Sequence, residues 1–294
     1  MFPIIPANSV TAAASENDEG IFGFGWNQVT FATAITNLVS NAGVVATDTA
    51  AVGTAKEFVS ACEYGGDKGI FGYASPWTTN LVSNTGVVAT DTAGVGTARN
   101  ATGACGYGGD KGIFGYGSGY VSMTNLVSNA GVVASDTAGV GTGRTQPMAC
   151  EYGGDKGIFG YGYDGSVVSM SNLVSNAGVV ATDTAGVGSA RRAGAACGYG
   201  GDKGIFGFGY IAYYVGMTNL VSNAGVVATD TAAVGTIRMY IAATQYGGDK
   251  GIFGFGDGGA TVSMTNLVSN AGVVATDTAG VGSARGYLGA CSFN

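Results

Sequence analysis

The 294-residue chain has no histidine and few charged residues. Histidine is the commonest general base and the commonest metal ligand, so its absence excludes Ser-His-Asp and Cys-His catalysis. Only 11% of the residues are charged, and the net charge is −7. A protein that binds nucleic acid presents basic groups to the phosphates, and this chain has no basic patch. We therefore expect no nucleic-acid partner.

Long apolar runs are also missing. No run approaches the roughly 18 residues that a membrane-spanning helix requires, so the sequence predicts no membrane span. The first residues, MFPIIPANSV, lack the positive segment and the long apolar segment of a secretory signal peptide. Either the chain is made in the cytoplasm without a signal peptide or a leader has already been removed, and the initiating Met favours the first reading.

Glycine and strand-forming residues dominate instead. The chain has 55 glycines and is rich in Val, Ile, Thr, Tyr and Phe, which favour strands over disorder. No segment keeps the i, i+3, i+4, i+7 apolar spacing of an amphipathic helix. The composition therefore predicts an all-β protein.

One unit recurs six times along the chain. The tetrapeptide GIFG begins at Gly20, Gly69, Gly112, Gly157, Gly204 and Gly251, in steps of 43 to 49 residues. The pentapeptide NLVSN begins at Asn37, Asn80, Asn125, Asn172, Asn219 and Asn266. A (T/S)DT segment follows, with its aspartate at Asp48, Asp91, Asp136, Asp183, Asp230 and Asp277. A cation then ends each unit, at Lys56, Arg99, Arg144, Arg191, Arg238 and Arg285.

Each unit reads as four short strands. In the third unit the runs cover 101–107, 112–117, 121–128 and 131–137, and glycine-rich or Asn-containing turns separate them. A four-stranded unit of about 45 residues is typical of a propeller blade. The sequence therefore predicts a six-bladed β-propeller of four-stranded antiparallel blades that occupies residues 1–294 as one domain. A stacked β-solenoid is the alternative.

The small-residue strand of the unit occurs in seven versions. They are VTAAAS near residue 10 and the segments around Cys62, Cys105, Cys150, Cys197, Thr244 and Cys291. Because the other strands occur six times, one terminal version is expected to close the ring by pairing the first blade with the last. The surplus version would pack outside or pair with another subunit, which leaves a homo-oligomer open.

Two resemblances follow from these motifs. The order of a small-residue strand, an aromatic-glycine strand, a polar-aliphatic strand and a terminal Arg resembles the kelch-type propeller repeat, although the late Trp of kelch repeats is missing. Units of the form MTNLVSNAGVVATDTAGVGTAR…YGGDKGIFGYG also resemble repeats of bacteriophage and cyanophage virion proteins. The second resemblance implies a structural or tail-fibre-like role and no catalytic residues.

Cofactor and metal sites are not predicted. GFGFGW and GYGSGY echo the dinucleotide motif GxGxxG, but no helix follows them. The cysteines share one strand position without C-x-x-C spacing, so we expect free buried thiols. The acids outside the repeat form no evident pair of the kind a glycosidase needs, and we expect no enzyme. These acids are Glu16, Glu57, Glu63, Glu151, Asp164 and Asp257.

The repeated charges have structural interpretations. Because a guanidinium makes several directed hydrogen bonds, the terminal cation and the (T/S)DT aspartate of each unit are expected to lock neighbouring blades. A ring of six aspartates that binds cations is the alternative, but one Asp per blade is thin for calcium. The Asp-Lys pair of GGDKG is expected at a solvated hairpin tip.

Function is predicted where the units differ. The loop after GIFG varies in each copy, as does the stretch after each cation, and all equivalent loops of a propeller emerge on one face. Tyr and Trp with small polar neighbours make an adaptable recognition surface. The predicted binding residues are Trp26, Asn27, Phe31, Trp77, Tyr120, Tyr163, Asp164, Tyr210, Tyr213, Tyr214 and Asp257.

These observations predict a non-enzymatic binding or structural protein. With the phage resemblance, they favour a virion component such as a tail fibre, spike or decoration protein. Its variable loops would bind a host surface glycan, a receptor or another virion protein. The alternatives are a purely architectural capsid or tail decoration protein without a ligand, and a bacterial propeller lectin.

Overall fold

The computed structural model describes residues 18–50 and 52–293. These residues form strands, turns and loops, and none of them is helical. The predicted all-β class is therefore confirmed for this part of the chain. Accordingly, the described residues include no helix long and apolar enough to cross a membrane.

The strands are short, and the same three recur in every unit. In chain order the first eleven are β1 (Glu19–Gly23), β2 (Trp26–Asn27), β3 (Phe31–Ala32), β4 (Ile35–Val39), β5 (Thr49–Ala50), β6 (Ser60–Tyr64), β7 (Lys68–Gly72), β8 (Thr78–Val82), β9 (Thr92–Ala93), β10 (Gly103–Tyr107) and β11 (Lys111–Gly115). The others are β12 (Thr124–Val127), β13 (Met148–Tyr152), β14 (Lys156–Tyr163), β15 (Val167–Val174), β16 (Ala195–Tyr199), β17 (Lys203–Tyr210), β18 (Tyr214–Val221), β19 (Ala242–Tyr246), β20 (Lys250–Gly254), β21 (Thr265–Val268) and β22 (Gly289–Phe293).

The strands form small antiparallel sheets, which we number along the chain. Sheet 1 has the order β22-β1-β4-β5 and sheet 2 has the order β6-β7-β8-β9. Sheets 3 to 6 are β10-β11-β12, β13-β14-β15, β16-β17-β18 and β19-β20-β21, and β2 pairs with β3 alone. The last strand thus completes the first sheet, with a register from Glu19↔Phe293 to Gly23↔Gly289. The other terminal version, VTAAAS near residue 10, lies outside the described residues.

The predicted fourth strand is largely absent. Within the described ranges only sheets 1 and 2 have one, and it is two residues long. In the third unit the segment 131–137 makes only isolated bridges to β12. Between these bridges Asn125 Nδ2 donates to Ala134 O at 3.0 Å and to Asp136 Oδ1 at 2.9 Å, and Asn37 and Asn80 make the equivalent bonds in sheets 1 and 2. A side-chain amide thus replaces part of the backbone ladder.

The hairpin that GGDKG predicts is present between β10 and β11. Gly108 and Gly109 have φ of +65° and +75°, a left-handed conformation that favours glycine. Lys111 Nζ lies 2.6 Å from Asp110 Oδ1 at the partly exposed tip. The turn also contacts the next unit, because Gly108 N–H donates to Asp155 O at 2.7 Å.

Aromatic pairs join each sheet to the next. In β11 the glycine of GIFG leaves room for a phenyl ring, since a Cβ on Gly115 would lie 2.7 Å from Phe159 Cζ. Tyr116 follows with φ of +63° and packs edge to face on Phe159 at 5.1 Å. Both side chains are fully buried. The equivalent pairs are Phe24–Phe71, Tyr73–Phe114, Tyr161–Phe206, Phe208–Phe253 and Phe255–Phe22.

The first strands of the units lie side by side around a shared space. Each of β6, β10, β13, β16, β19 and β22 neighbours the next in this order, and β22 also neighbours β6. All six line one cavity of about 60 Å³. Five of these strands carry a cysteine, and β19 carries Thr244 in its place; each cysteine is buried against the following sheet, as Cys105 is against Gly157. The described cysteines are free thiols, as predicted, and burial raises the pKa of Cys105 above its usual range.

Candidate functional site

The cation that ends each unit is buried between two sheets. Arg191 is representative: its side chain is fully buried, and its guanidinium lies 4.1 Å over the ring of Tyr161 in sheet 4. Its Nε donates to Phe208 O at 2.9 Å and its Nη2 donates to Asn219 Oδ1 at 2.7 Å, both in sheet 5. Burial lowers the pKa of these arginines, to about 10 for Arg238, so the cation stays charged at neutral pH.

The aspartate of the following unit completes this arrangement. Asp230 Oδ2 accepts from Ser189 N at 3.0 Å and from Ser189 Oγ at 2.7 Å, and Oδ1 accepts from Asn219 Nδ2 at 2.9 Å. Partial desolvation raises the pKa of Asp230, but these hydrogen bonds outweigh it, so the net pKa is lowered. The aspartate therefore remains ionised down to acidic pH.

We call each set of cation, asparagine and aspartate a latch. The six latches are Lys56–Asn80–Asp91, Arg99–Asn125–Asp136, Arg144–Asn172–Asp183, Arg191–Asn219–Asp230, Arg238–Asn266–Asp277 and Arg285–Asn37–Asp48. The last one reaches from the sixth unit to the first. The cations and aspartates were predicted from the sequence as a lock between neighbouring units, but the asparagines were not, although the repeated first Asn of NLVSN was the available signal.

The latch aspartates do not converge on a common ion. Their oxygens accept hydrogen bonds from the preceding unit, as Asp183 does from Thr142 at 2.7 Å. Among the described residues no group of three or more Cys, Asp and Glu side chains is arranged to hold a metal ion. The latches therefore join neighbouring sheets through hydrogen bonds.

The variable loops share one face with the segments that follow the cations. Gly103 at the start of β10 pairs with Gly115 at the end of β11, so both sets of segments lie at the same end of every sheet. We call this end the loop face. The GGDKG turns and the NAG turns lie at the opposite end.

The first loop carries Trp26, Asn27 and Phe31. Asn27 Oδ1 accepts from Val29 N at 2.9 Å and from Thr30 N at 2.7 Å, so this side chain shapes the turn. Phe31 is 66% exposed. The half-buried Trp26 lies 6.5 Å from Phe31 and 6.2 Å from Tyr287, edge to face in both cases.

Trp77 is placed differently from the other predicted binding residues. Its half-buried indole packs on the core around Tyr73 and covers Gly94, where any Cβ would collide with it. Its Nε1 is buried without an acceptor among the described residues. This geometry gives Trp77 a packing role within its own unit.

Tyrosines from consecutive loops meet on the loop face. Tyr120 lies 6.0 Å from Tyr163, and the guanidinium of Arg192 lies 4.5 Å from the Tyr163 ring and 5.7 Å from that of Tyr210. Tyr210 contacts Tyr214 at 5.9 Å. Arg192 is the one cation of the sequence outside the repeated positions, and here it joins two loops.

The remaining predicted residues lie at the tips of these loops. Tyr213 is 64% exposed. Asp164 Oδ1 accepts from Ser166 N at 3.1 Å, and Asp257 Oδ1 accepts from Gly259 N at 2.7 Å. Both aspartates thus stabilise their own turns.

A second set of loop-face residues was not singled out by sequence. Two positions after each cation stands a residue with left-handed φ between +51° and +58°. Backbone hydrogen bonds join the equivalent residues of successive units, for example Gln146 N to Ala101 O at 2.8 Å and Tyr240 N to Ala193 O at 2.7 Å. We call these six residues the axial mouth. They are Phe58, Ala101, Gln146, Ala193, Tyr240 and Tyr287.

The axial mouth has an aromatic half and a small half. Tyr240 and Tyr287 stack at 3.7 Å with an interplanar angle of 23°, and Phe58 lies 4.4 Å from Tyr287. Ala101, Gln146 and Ala193 form the other half. A cavity of about 80 Å³ lies between them. The varied stretch after each cation was the sequence signal for this site.

Polar side chains lie at the end of the 60 Å³ cavity that is farther from the loop face, between the first strands of the units. One position of that strand reads Glu63, Gly106, Glu151, Gly198, Gln245 and Ser292 in successive units. Ser292 Oγ hydrogen-bonds Glu63 Oε1. Desolvation raises the pKa of Glu151 well above its usual value, and nearby Glu63 raises it further. The sequence predicted no evident pair among the acids outside the repeat, although the equivalent positions of Glu63 and Glu151 place both at this cavity.

A comparison with known proteins finds no family model that matches this chain and no curated protein that is similar to it.

Proposed function

We propose that the six sheets are the blades of a closed six-bladed β-propeller. Three contacts between the first and last units support this. The strand β22 pairs with β1, Arg285 Nη2 donates to Asn37 Oδ1 at 2.7 Å, and Val59 N–H donates to Tyr287 O at 3.2 Å. A stacked solenoid would leave its first and last units apart. Electron microscopy of the purified chain would test the closed ring, and an open or elongated particle would contradict it.

The function we propose is binding without catalysis, through the loop face. The carrying observation is that aromatic side chains gather on this face, at the positions where otherwise near-identical units differ. Tyr213 and Phe31 are mostly exposed, and Tyr120 is 51% exposed. Aromatic residues on rigid scaffolds give large contact area at low entropic cost. The ligand would be a host surface glycan, a receptor or a neighbouring virion subunit.

The virion setting is part of this proposal and rests on the resemblance of the units to phage repeats. Copurification of the chain with virions would test it directly. Attachment to host cells would test the binding function. We expect Tyr120→Ala and Tyr213→Ala each to weaken attachment with little change in melting temperature, because neither side chain is in the core.

The control for this experiment is Lys156→Ala, which changes an exposed turn on the opposite face. Attachment that is unaffected by both tyrosine variants would contradict the proposal. Equal loss in all three variants would show that the loop face is not the relevant surface.

A purely architectural decoration protein is a second candidate, and one observation favours it. The turns opposite the loop face, NAG in five units and NTG in the second, present six equivalent valines that are 63–65% exposed: Val44, Val87, Val132, Val179, Val226 and Val273. A repeated apolar surface of this kind is typical of an assembly contact. Val132→Lys with Val179→Lys should then disrupt assembly into larger particles, as measured by light scattering, and particles of unchanged size would contradict this candidate.

A further inference from the structure

We propose that Arg192 anchors an acidic sugar on the loop face, where its guanidinium binds the carboxylate of the sugar and the neighbouring tyrosines contact the sugar ring. This inference deepens the proposed binding function of the loop face and rests on it. It names the chemical class of the ligand and the residue that recognises its charge.

Arg192 is the one cation of the chain without an acidic partner among the described residues. The sequence has 12 lysines and arginines. Six of them belong to the latches, and five form an ion pair with the aspartate of their own GGDKG turn. The guanidinium of Arg192 contacts two tyrosine rings, and it makes no ion pair and no hydrogen bond within the described ranges. Its charge is therefore available to a ligand.

The nitrogen atoms of Arg192 are accessible. Among the described residues, the buried side-chain nitrogen and oxygen atoms without a hydrogen-bond partner are Trp77 Nε1 and Gln146 Oε1. The guanidinium nitrogens of Arg192 also lack a partner but do not belong to this buried set, so the protein does not enclose them. A guanidinium presents its N–H donors in a planar fork that matches the two oxygens of a carboxylate. A ligand carboxylate can therefore reach these donors directly.

The protein fixes the position of Arg192 through the backbone. Arg192 N donates to Tyr210 O at 3.0 Å, and Tyr210 N donates to Arg192 O at 2.8 Å. One unit earlier, Thr145 and Tyr163 make the equivalent pair of bonds, both at 2.9 Å. The guanidinium lies 4.5 Å from the ring of Tyr163 and 5.7 Å from that of Tyr210. Because these contacts already order the cation, less conformational freedom is lost when a ligand binds.

Tyrosine rings beside Arg192 offer surface for the sugar ring. Tyr120 lies 6.0 Å from Tyr163 and is 51% exposed. Tyr163 and Tyr210 are half-buried. The C–H groups of a pyranose can bury apolar area on such rings. A pyranose also holds its carboxylate on a rigid frame, so it loses less entropy on binding than a flexible acidic peptide does. These properties favour a sugar as the carrier of the carboxylate.

The charges on the loop face favour a ligand group with a single negative charge. The lysines of the GGDKG turns lie at the opposite end of the sheets, and the latch cations are buried. Arg192 is thus the one described cation that can meet a ligand on this face. Asp164 and Asp257 lie there as well, and the chain has a net charge of −7. A phosphate monoester carries about two negative charges near neutral pH, so it would be repelled more strongly than a carboxylate.

Saturation-transfer NMR on the full chain tests the assignment with matched ligands. Methyl β-D-glucuronide and methyl β-D-glucopyranoside differ in one exocyclic group, which is a carboxylate in the first and a hydroxymethyl group in the second. The α-methyl glycoside of N-acetylneuraminic acid is a second acidic sugar. Glucose 6-phosphate and N-acetyl-aspartic acid amide represent a phosphate monoester and an acidic peptide. We expect transfer to at least one of the two carboxylate sugars and none to the neutral glucoside.

Three variants assign the binding to the proposed residues. Arg192→Ala should weaken binding of the acidic sugar at least about tenfold, because it removes a charge-assisted pair. Arg192→Lys keeps the charge without the fork and should weaken it about threefold. Lys156→Ala, in a turn on the opposite face, should change nothing. Melting temperatures show whether the variants fold, and we expect little change because neither side chain belongs to a latch.

Each outcome supports or overturns one proposal. No transfer to either carboxylate sugar overturns the site, and so does transfer that survives Arg192→Ala. Equal binding of the glucuronide and the neutral glucoside overturns the role of the charge. Tighter binding of glucose 6-phosphate, or binding of the aspartate amide without either acidic sugar, overturns the ligand class.

The same variants separate this site from the function on which it rests. Host attachment that Tyr213→Ala weakens while Arg192→Ala does not would leave the loop-face function standing and overturn the role of Arg192. Binding of an acidic sugar by a protein that attaches to no host surface would retain the site and refute the proposed function.

Discussion

The latch between sheets 4 and 5 gives the most direct prediction about stability. Arg191→Ala removes three hydrogen bonds, to Ser189 O at 3.2 Å, Phe208 O at 2.9 Å and Asn219 Oδ1 at 2.7 Å. It also removes the guanidinium that lies 4.1 Å over Tyr161. The partners are left buried without a donor, which costs about 1–3 kcal/mol each. Because burying the charge is itself unfavourable, we expect a net loss of about 4 kcal/mol in the free energy of unfolding.

The chain supplies a milder version of the same change. Its first latch uses Lys56, whose Nζ donates to Asn80 Oδ1 at 2.5 Å and lies 3.0 Å from Asp91 Oδ1. A lysine at position 191 would therefore keep the asparagine partner and lose the bonds to Phe208 O and Ser189 O. Two lost hydrogen bonds correspond to about 2 kcal/mol. Arg191→Lys should lie between Arg191→Ala and the native protein.

Equilibrium urea unfolding followed by circular dichroism measures both variants. The matched control is Arg192→Ala, since this neighbouring cation lies outside the latch and over partly exposed tyrosine rings, where such contacts contribute at most about 1 kcal/mol. We expect the order Arg191→Ala, then Arg191→Lys, then Arg192→Ala from the largest loss to the smallest. Losses within about 1 kcal/mol of each other for the two Arg191 variants would refute the role of the directed hydrogen bonds.

Three further predictions concern the packing and the pH dependence. Burial raises the pKa of Glu151 in the folded protein, so folding favours the protonated carboxyl; the stability of the native protein is therefore highest below the usual pKa of 4.5 and falls as the pH rises above it. Glu151→Gln should be more stable than the native protein at pH 7 and equally stable at pH 4. Urea midpoints that differ by the same amount at both pH values would contradict this. Gly115→Ala should cost about 1–3 kcal/mol by overpacking Phe159, with partial recovery in a double variant with Phe159→Leu, by urea titration. Gly94→Ala should destabilise the native protein, but a Trp77→Gly background should tolerate it, because the fifth unit pairs a glycine with an alanine at these positions; equal melting-temperature losses in both backgrounds would refute the contact.

The repeated part of the fold was predictable from sequence because local chemistry decides it. The glycines of GGDKG fix a hairpin, and GIFG places two large residues between two glycines that approach the neighbouring sheets closely. The fourth strand was not predictable in the same way. The segment 131–137 has strand-like composition, but between its two bridges to β12 the amide of Asn125 bonds Ala134 O and Asp136, as the equivalent Asn37 and Asn80 do in sheets 1 and 2. This interruption of the ladder depends on a side chain outside the segment rather than on the propensity of the segment.

The candidate site was predictable only at its rim. The variation among copies pointed to the loops, and Tyr213 and Phe31 are indeed exposed there. The stacking of Tyr240 on Tyr287 beside Phe58 brings together residues from the fifth, sixth and first units. No local pattern encodes such a contact, because it arises from the positions of whole sheets.

The pairing of β22 with β1 has a consequence for how the molecule folds. In sheets 2 to 6 the first two strands are joined by a turn of three residues, as in Tyr107↔Lys111, and can pair as soon as they are synthesised. In sheet 1 the same pairing joins Glu19 to Phe293, almost the whole length of the chain apart. Loop-closure entropy makes such contacts slow. Sheet 1 therefore stays incomplete during translation until β22 has left the ribosome, and until then β1 exposes an unpaired edge to other chains.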